Sequence, residues 1–124
     1  MELKTNQKGN TKVLEVLGKF DIESTEEFES VYQKLLESKP PVIAIEMSKL
    51  DYIDSSGIGS LIKCLNNTKN QKGKLVLVGL KPMILNVFKL AKLDMFFEII
   101  TSADFEAKYG GDDDSDIDAL LKKK

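Results

Sequence analysis

Histidine and tryptophan are absent from the 124 residues, cysteine occurs once and proline three times. Each scarcity removes a class of chemistry. Without imidazole the chain cannot build a Ser-His-Asp or Cys-His nucleophile, and it lacks the commonest zinc ligand. The lone Cys64 has no partner for an internal disulfide, which suits a reducing compartment. No apolar run approaches the roughly 20 residues of a membrane-spanning helix. The opening "MELKTNQKGN" also lacks the apolar centre of a secretion signal, so the expected location is the cytoplasm. A surplus of charge is missing too. The net charge of −2 offers no general attraction to phosphate backbones or anionic lipid, so neither nucleic acid nor a membrane is an expected partner. A Ser-Lys dyad would survive the loss of histidine. However, Lys63 follows Ser55 and Ser56 by about two helical turns, a rise of about 10 Å, too far for a hydrogen bond along one helix. An enzyme is not expected, and nothing in the sequence calls for a cofactor or a metal.

The composition, 42% hydrophobic and 31% charged, is that of a globular domain. Residues 1–109 read as one domain and 110–124 as an acidic-then-basic C-terminal tail, expected to be flexible or to carry a weak docking motif. The five aspartates and three lysines of that tail account for the whole net charge. Its acidic run is not an EF-hand: counted from Asp112, the sixth position is Ile117 where glycine is needed, and the twelfth is Lys123 where glutamate is needed.

Within the domain, "TKVLEVLGKF" (11–20) has strand character, and a weaker strand in the first eight residues pairs with it across "KGN". "STEEFESVYQKLLES" carries apolar residues at helical intervals from Phe28 to Leu36, with Ser24 and Glu27 at capping-box spacing; Pro40 and Pro41 stop the helix. "VIAIEM" (42–47) and "KLVLVGL" (74–80) are continuous apolar runs, as expected of strands covered on both faces. Between them Ile58, Leu61, Ile62 and Leu65 mark a crossover helix. Pro82 opens a third helix, "FFEII" (96–100) is a last strand, and "SADFEAKY" (102–109) a short capped helix. The order β(β)αβαβαβα implies an α/β fold with a mixed sheet of four to five strands and helices packed on it. Met83, Met95, Phe96 and Phe97 are expected in the core or a small apolar rim, and Cys64 is expected to be packed and unreactive.

The stretch "DSSGIG" (54–59) is harder to explain by capping alone. Asp54 or Ser55 is a natural N-cap for the helix that follows. Gly59, however, falls inside the first turns, where glycine costs roughly 1 kcal/mol relative to alanine. Bare glycines invite a close approach by another element of the fold, a partner's backbone or a phosphate. The loop lacks the "GK[ST]" of a P-loop and the three-glycine dinucleotide fingerprint, so ATP binding by this chain is not expected. A phosphate carried on a serine is a different matter. A helix N-terminus tolerates an anion, and the added charge of about −1.5 to −2 would alter an exposed contact surface.

"LDYIDSSGIGSL", entered from the strand "VIAIEM" and followed by an amphipathic helix, resembles the STAS domain of bacterial anti-sigma factor antagonists. The resemblance covers about residues 1–109, including "GKFDIESTEEF" and "KGKLVLVGLKPMILNVFKLAKLD". It implies a cytoplasmic signalling protein that switches partners to regulate transcription. Unmodified, such a protein binds an anti-sigma factor that is also an ATP-dependent serine kinase, and so frees the sigma factor. Phosphorylation turns binding off, and a metal-dependent serine phosphatase restores it. By the resemblance Ser55 is the phosphate acceptor, Asp54, Ser56 and Ile58 lie at the contact surface, and Gly57 and Gly59 permit close docking. Side-chain chemistry alone leaves Ser56 open as the acceptor. Asp21 matches the aspartate of the loop before the first helix, and on its residues alone it reads equally as a turn or capping group. The alternative function is a STAS scaffold or regulatory subunit of another signalling or transport assembly.

Overall fold

The computed structural model describes residues 1–109; the expectation about a flexible tail falls on 110–124 and lies outside the described residues. Five strands form one sheet in the order β1-β2-β3-β4-β5: β1 Glu2–Lys8, β2 Thr11–Phe20, β3 Val42–Ile53, β4 Lys74–Val78 and β5 Glu98–Ile100. β1 is antiparallel to β2, and the other neighbours are parallel. The expected hairpin is present, with Gly9 at φ 58 as the first residue of a two-residue turn between Lys8 and Thr11. Four helices follow: α1 Thr25–Leu36, α2 Ser55–Asn70, α3 Pro82–Leu90 and α4 Ser102–Lys108, with a 3-10 turn at Leu93–Met95.

The two faces of the sheet bury different things. Leu14, Val16, Ile43, Ile45, Leu75 and Leu77 pack beneath α1, α2 and α3, contributing to a core that also holds Phe28, Tyr32, Leu61 and Phe88. The alternate residues Val13, Ala44, Val76 and Val78 meet Phe105 of α4 on the other face. Both faces being covered explains the continuous apolar runs of β3 and β4.

Three boundaries differ from expectation. β3 continues past Met47 to Ile53, pairing Phe20 with Ile53. Its second half has only β2 as a neighbour and two register shifts, so burial drops to Leu50 and Ile53 and the apolar run ends early. β4 ends at Val78 because Gly79, at φ 71, turns the chain. Phe96 precedes β5, as the last-strand pairing begins at Glu98.

Each of the first two helices ends with a lysine nearby in the left-handed region, Lys39 at φ 51 and Lys72 at φ 65. After α2 the Lys72 N–H reaches the Lys69 carbonyl and the Gly73 N–H the Thr68 carbonyl, both at 2.9 Å, the pairing of a Schellman motif. Glycine is the usual residue there. Lys72→Gly should therefore raise stability by about 1 kcal/mol, read as a shifted denaturant midpoint at unchanged slope.

Candidate functional site

β2 and β3 end side by side, and their last residues form the base of the DSSGIG segment. The Asp54 N–H donates to the Phe20 carbonyl at 3.3 Å, fixing the start of α2 to the end of β2. Asp54 is the N-cap: its backbone is extended, and Oδ1 accepts from the Ser56 and Gly57 N–H groups at 3.0 and 3.2 Å. This decides between the two capping candidates. Ser55 is the first helical residue and is exposed, whereas Ser56 is half-buried.

The two glycines separate. Gly57 is buried, and a Cβ there would come within 2.8 Å of the Phe20 carbonyl oxygen and 2.9 Å of Phe20 Cγ and Ile53 Cγ1. Its bareness serves packing inside the fold. Gly59 is exposed, and a Cβ there would meet no other part of the fold within 4 Å. Ile58 is half-buried against the core.

Asp21 and Asp54 line one open cleft of about 390 Å³ with Lys19, Ile22, Glu23 and Tyr52. Asp21 Oδ1 accepts from the Glu23 N–H at 3.1 Å and the Ser24 hydroxyl at 3.0 Å. The Ser24 hydroxyl also lies 3.1 Å from the Lys19 carbonyl and makes no helix-capping bond, so the expected capping box does not form. It braces the 19–24 turn that presents Asp21. Sequence reading missed Ile22 and Tyr52, which are 68% and 45% exposed at the rim of the cleft. The available signal was position: each is an apolar residue within two places of a site aspartate.

Farther along α2, Glu29 of α1 accepts from the Ser60 hydroxyl at 2.5 Å and from Lys63 Nζ at 3.0 Å. The Ser60 hydrogen bond, with Lys63 beside it, holds the Glu29 carboxyl below its ordinary value of 4.5. A lowered carboxyl stabilises the fold above its unfolded pKa and loses that contribution as pH falls through the folded one. Glu29→Gln should flatten the decline of stability below about pH 5, measured as melting temperature against pH. Lys63 is thus engaged by Glu29. Cys64 is buried, and burial pushes its thiol up to about 12, which leaves it protonated and inert. Of the other apolar candidates Phe97 is core, but Met83, Met95 and Phe96 are 67%, 82% and 65% exposed. Met83 lies in the first turn of α3, and Met95 and Phe96 lie at the end of the 3-10 turn that follows it.

Among the described residues no group of three His, Cys, Asp or Glu side chains is placed to hold a metal ion, and no helix is long and apolar enough to cross a membrane. A family model described as the STAS domain matches residues 2–105. The chain belongs to the STAS domain family. As such a domain it is a regulatory binding module, not an enzyme. Among solved structures it is similar to TM1081 of Thermotoga maritima, a candidate anti-sigma factor antagonist, at 20% identity over 86% of this chain and 93% of that one, with a TM-score of 0.79. The phosphorylated form of the Bacillus cell fate determinant SpoIIAA is 18% identical over 83% and 95% of the two chains, TM-score 0.64. A sulfate transporter family protein from Wolinella succinogenes is 16% identical over 73% and 76%, TM-score 0.66. At these identities the likeness is one of fold, a mixed five-stranded sheet carrying a STAS arrangement of helices.

Proposed function

We propose that this STAS domain is an anti-sigma factor antagonist whose unmodified form binds a kinase-type anti-sigma factor and releases the sigma factor. Phosphate on Ser55 turns that binding off, and a metal-dependent phosphatase reverses it. The observation that carries the reading is the exposed Ser55 at the first position of α2, beside an aspartate that already accepts from two of the helix's free N–H groups. Exposure favours Ser55 over the half-buried Ser56 as the acceptor. The contact surface extends from Ser55 over Ile58 and Gly59 and across the cleft of Asp21 and Asp54, with Ile22 and Tyr52 as its apolar points. Such a surface, acidic with exposed apolar side chains, suits a partner presenting basic and apolar groups.

A displacement assay tests this. Unmodified protein added to a preformed complex of sigma factor and kinase-type anti-sigma factor from its own cells should release the sigma factor. Protein carrying phosphate on Ser55 should not. Release by neither form at saturating concentration would remove the reading. The likeness to a transporter-family STAS domain favours a second reading, a scaffold within a larger assembly. It predicts stable co-purification with partners whatever the state of Ser55.

A further inference from the structure

The end of the domain opposite Ser55 is rich in lysine. There the parallel strands begin and the helices end. Lys12 is the second residue of β2, Lys34 and Lys69 lie in the last turns of α1 and α2, and Lys39 and Lys72 follow those helices. The loops carrying them touch: Gly73 lies against the Pro40 carbonyl, the Lys74 N–H donates to the Pro41 carbonyl at 3.0 Å, and Lys12 and Lys39 line one cleft with Asn10 and Pro40. Among the described residues none of these five lysines has a carboxylate within salt-bridge distance. Glu37 is the unpaired acid nearby on α1's C-cap.

Helix dipoles account for Lys34 and Lys69, since a cation is favoured at a helix C-terminus. They do not account for Lys12 near a strand start. Nor do they account for Lys39 and Lys72, where a left-handed backbone favours glycine or asparagine over lysine. At Lys39 and Lys72 the positive charge therefore sits on a backbone conformation that is costly for a side chain.

The described chain ends at the same place. α4 runs from Ser102, beside Gly79, to Lys108, and the ring of Tyr109, which caps it, has its centroid 5.9 Å from Lys74 Nζ. The next residues, "GGDDDSDID" (110–118), contain five aspartates. Nine residues span up to about 30 Å when extended, against roughly 10 Å from β4 across β3 to β2. We propose that the acidic run 112–118 of this chain docks on the lysine-rich end of its own domain, shielding that end from other polyanions. The contact lies away from Ser55 and does not depend on the proposed function.

A nitroxide placed at Ser115→Cys in the full chain provides the test, because buried Cys64 does not compete for the label. Backbone amide signals of Lys12, Lys39 and Lys72 should broaden while those of Ser55 to Gly59 do not. The broadening should vanish at about 0.5 M salt, where the screening length falls to roughly 4 Å, and when all five aspartates become asparagine. The same five-asparagine variant should bind heparin about tenfold more tightly at low salt than the native sequence. Broadening confined to the neighbours of Tyr109, broadening that persists at high salt, or equal heparin binding by the two proteins would overturn the proposal. Equal binding would mean that this end takes an external polyanion instead.

Discussion

Phosphorylation of Ser55 is expected to weaken the complex with a kinase-type anti-sigma factor about 100-fold, equivalent to roughly 2.7 kcal/mol. The modification places a charge of about −1.5 to −2 on the residue next to Asp54, which lines a cleft together with Asp21 and Glu23. A partner that closes over Ile58 and Gly59 would have to strip water from that dianion, a penalty that neutral serine does not impose. The helix should not suffer, because an anion at its N-terminus is compatible with the dipole. The melting temperature should therefore stay within about 2 °C while affinity falls. Ser55→Glu carries one charge and fewer oxygens, so its loss should be nearer tenfold. Titration of the three proteins against the same partner, alongside thermal melts, checks both parts. An affinity loss that tracks a fall in melting temperature would mean that phosphate acts by unfolding α2.

Gly57→Ala is expected to destabilise the domain by about 1–3 kcal/mol. The added methyl group meets a backbone oxygen, Phe20 O, at 2.8 Å, and the ring of a fully buried Phe20 whose other side packs on Phe28 with centroids 4.6 Å apart. Neither can yield without moving the end of β2. For a domain of this size the melting temperature should fall by roughly 5–15 °C. Gly59→Ala is the control: its Cβ enters open space, and alanine in a helix should add about 0.5–1 kcal/mol. If Gly59→Ala stabilises the fold yet weakens partner binding, the exposed glycine serves docking. A melting temperature unchanged by Gly57→Ala would contradict the packing account.

The helices and buried strands were legible because burial on one or both faces writes a period into the sequence. Phe28, Tyr32 and Leu36 on α1, and Leu61, Cys64 and Leu65 on α2, are buried at helical spacing. Where neighbours run out, legibility ends. The second half of β3 is paired on one edge and shifted in register, so "SKLDYI" reads as polar although it is strand. Capping chemistry was ambiguous for a related reason. Ser24 and Glu27 have the right spacing, but Asp21 and the Lys19 carbonyl offer the Ser24 hydroxyl a tertiary alternative. At the site itself, the sequence raised the question of two glycines without distinguishing them. Only the position of Phe20, thirty-seven residues earlier in the chain, separates the glycine that packs from the one that faces solvent. The same holds for Ile22 and Tyr52, brought to one cleft by the parallel pairing of β2 with β3.

Phosphopeptide analysis of the protein isolated from its own cells, beside the Ser55→Ala and Ser56→Ala variants expressed the same way, tests the central claim most directly. The account predicts phosphate on Ser55, retained in Ser56→Ala and lost in Ser55→Ala. Unmodified Ser55 under every growth condition, or phosphate that persists in Ser55→Ala, would contradict it.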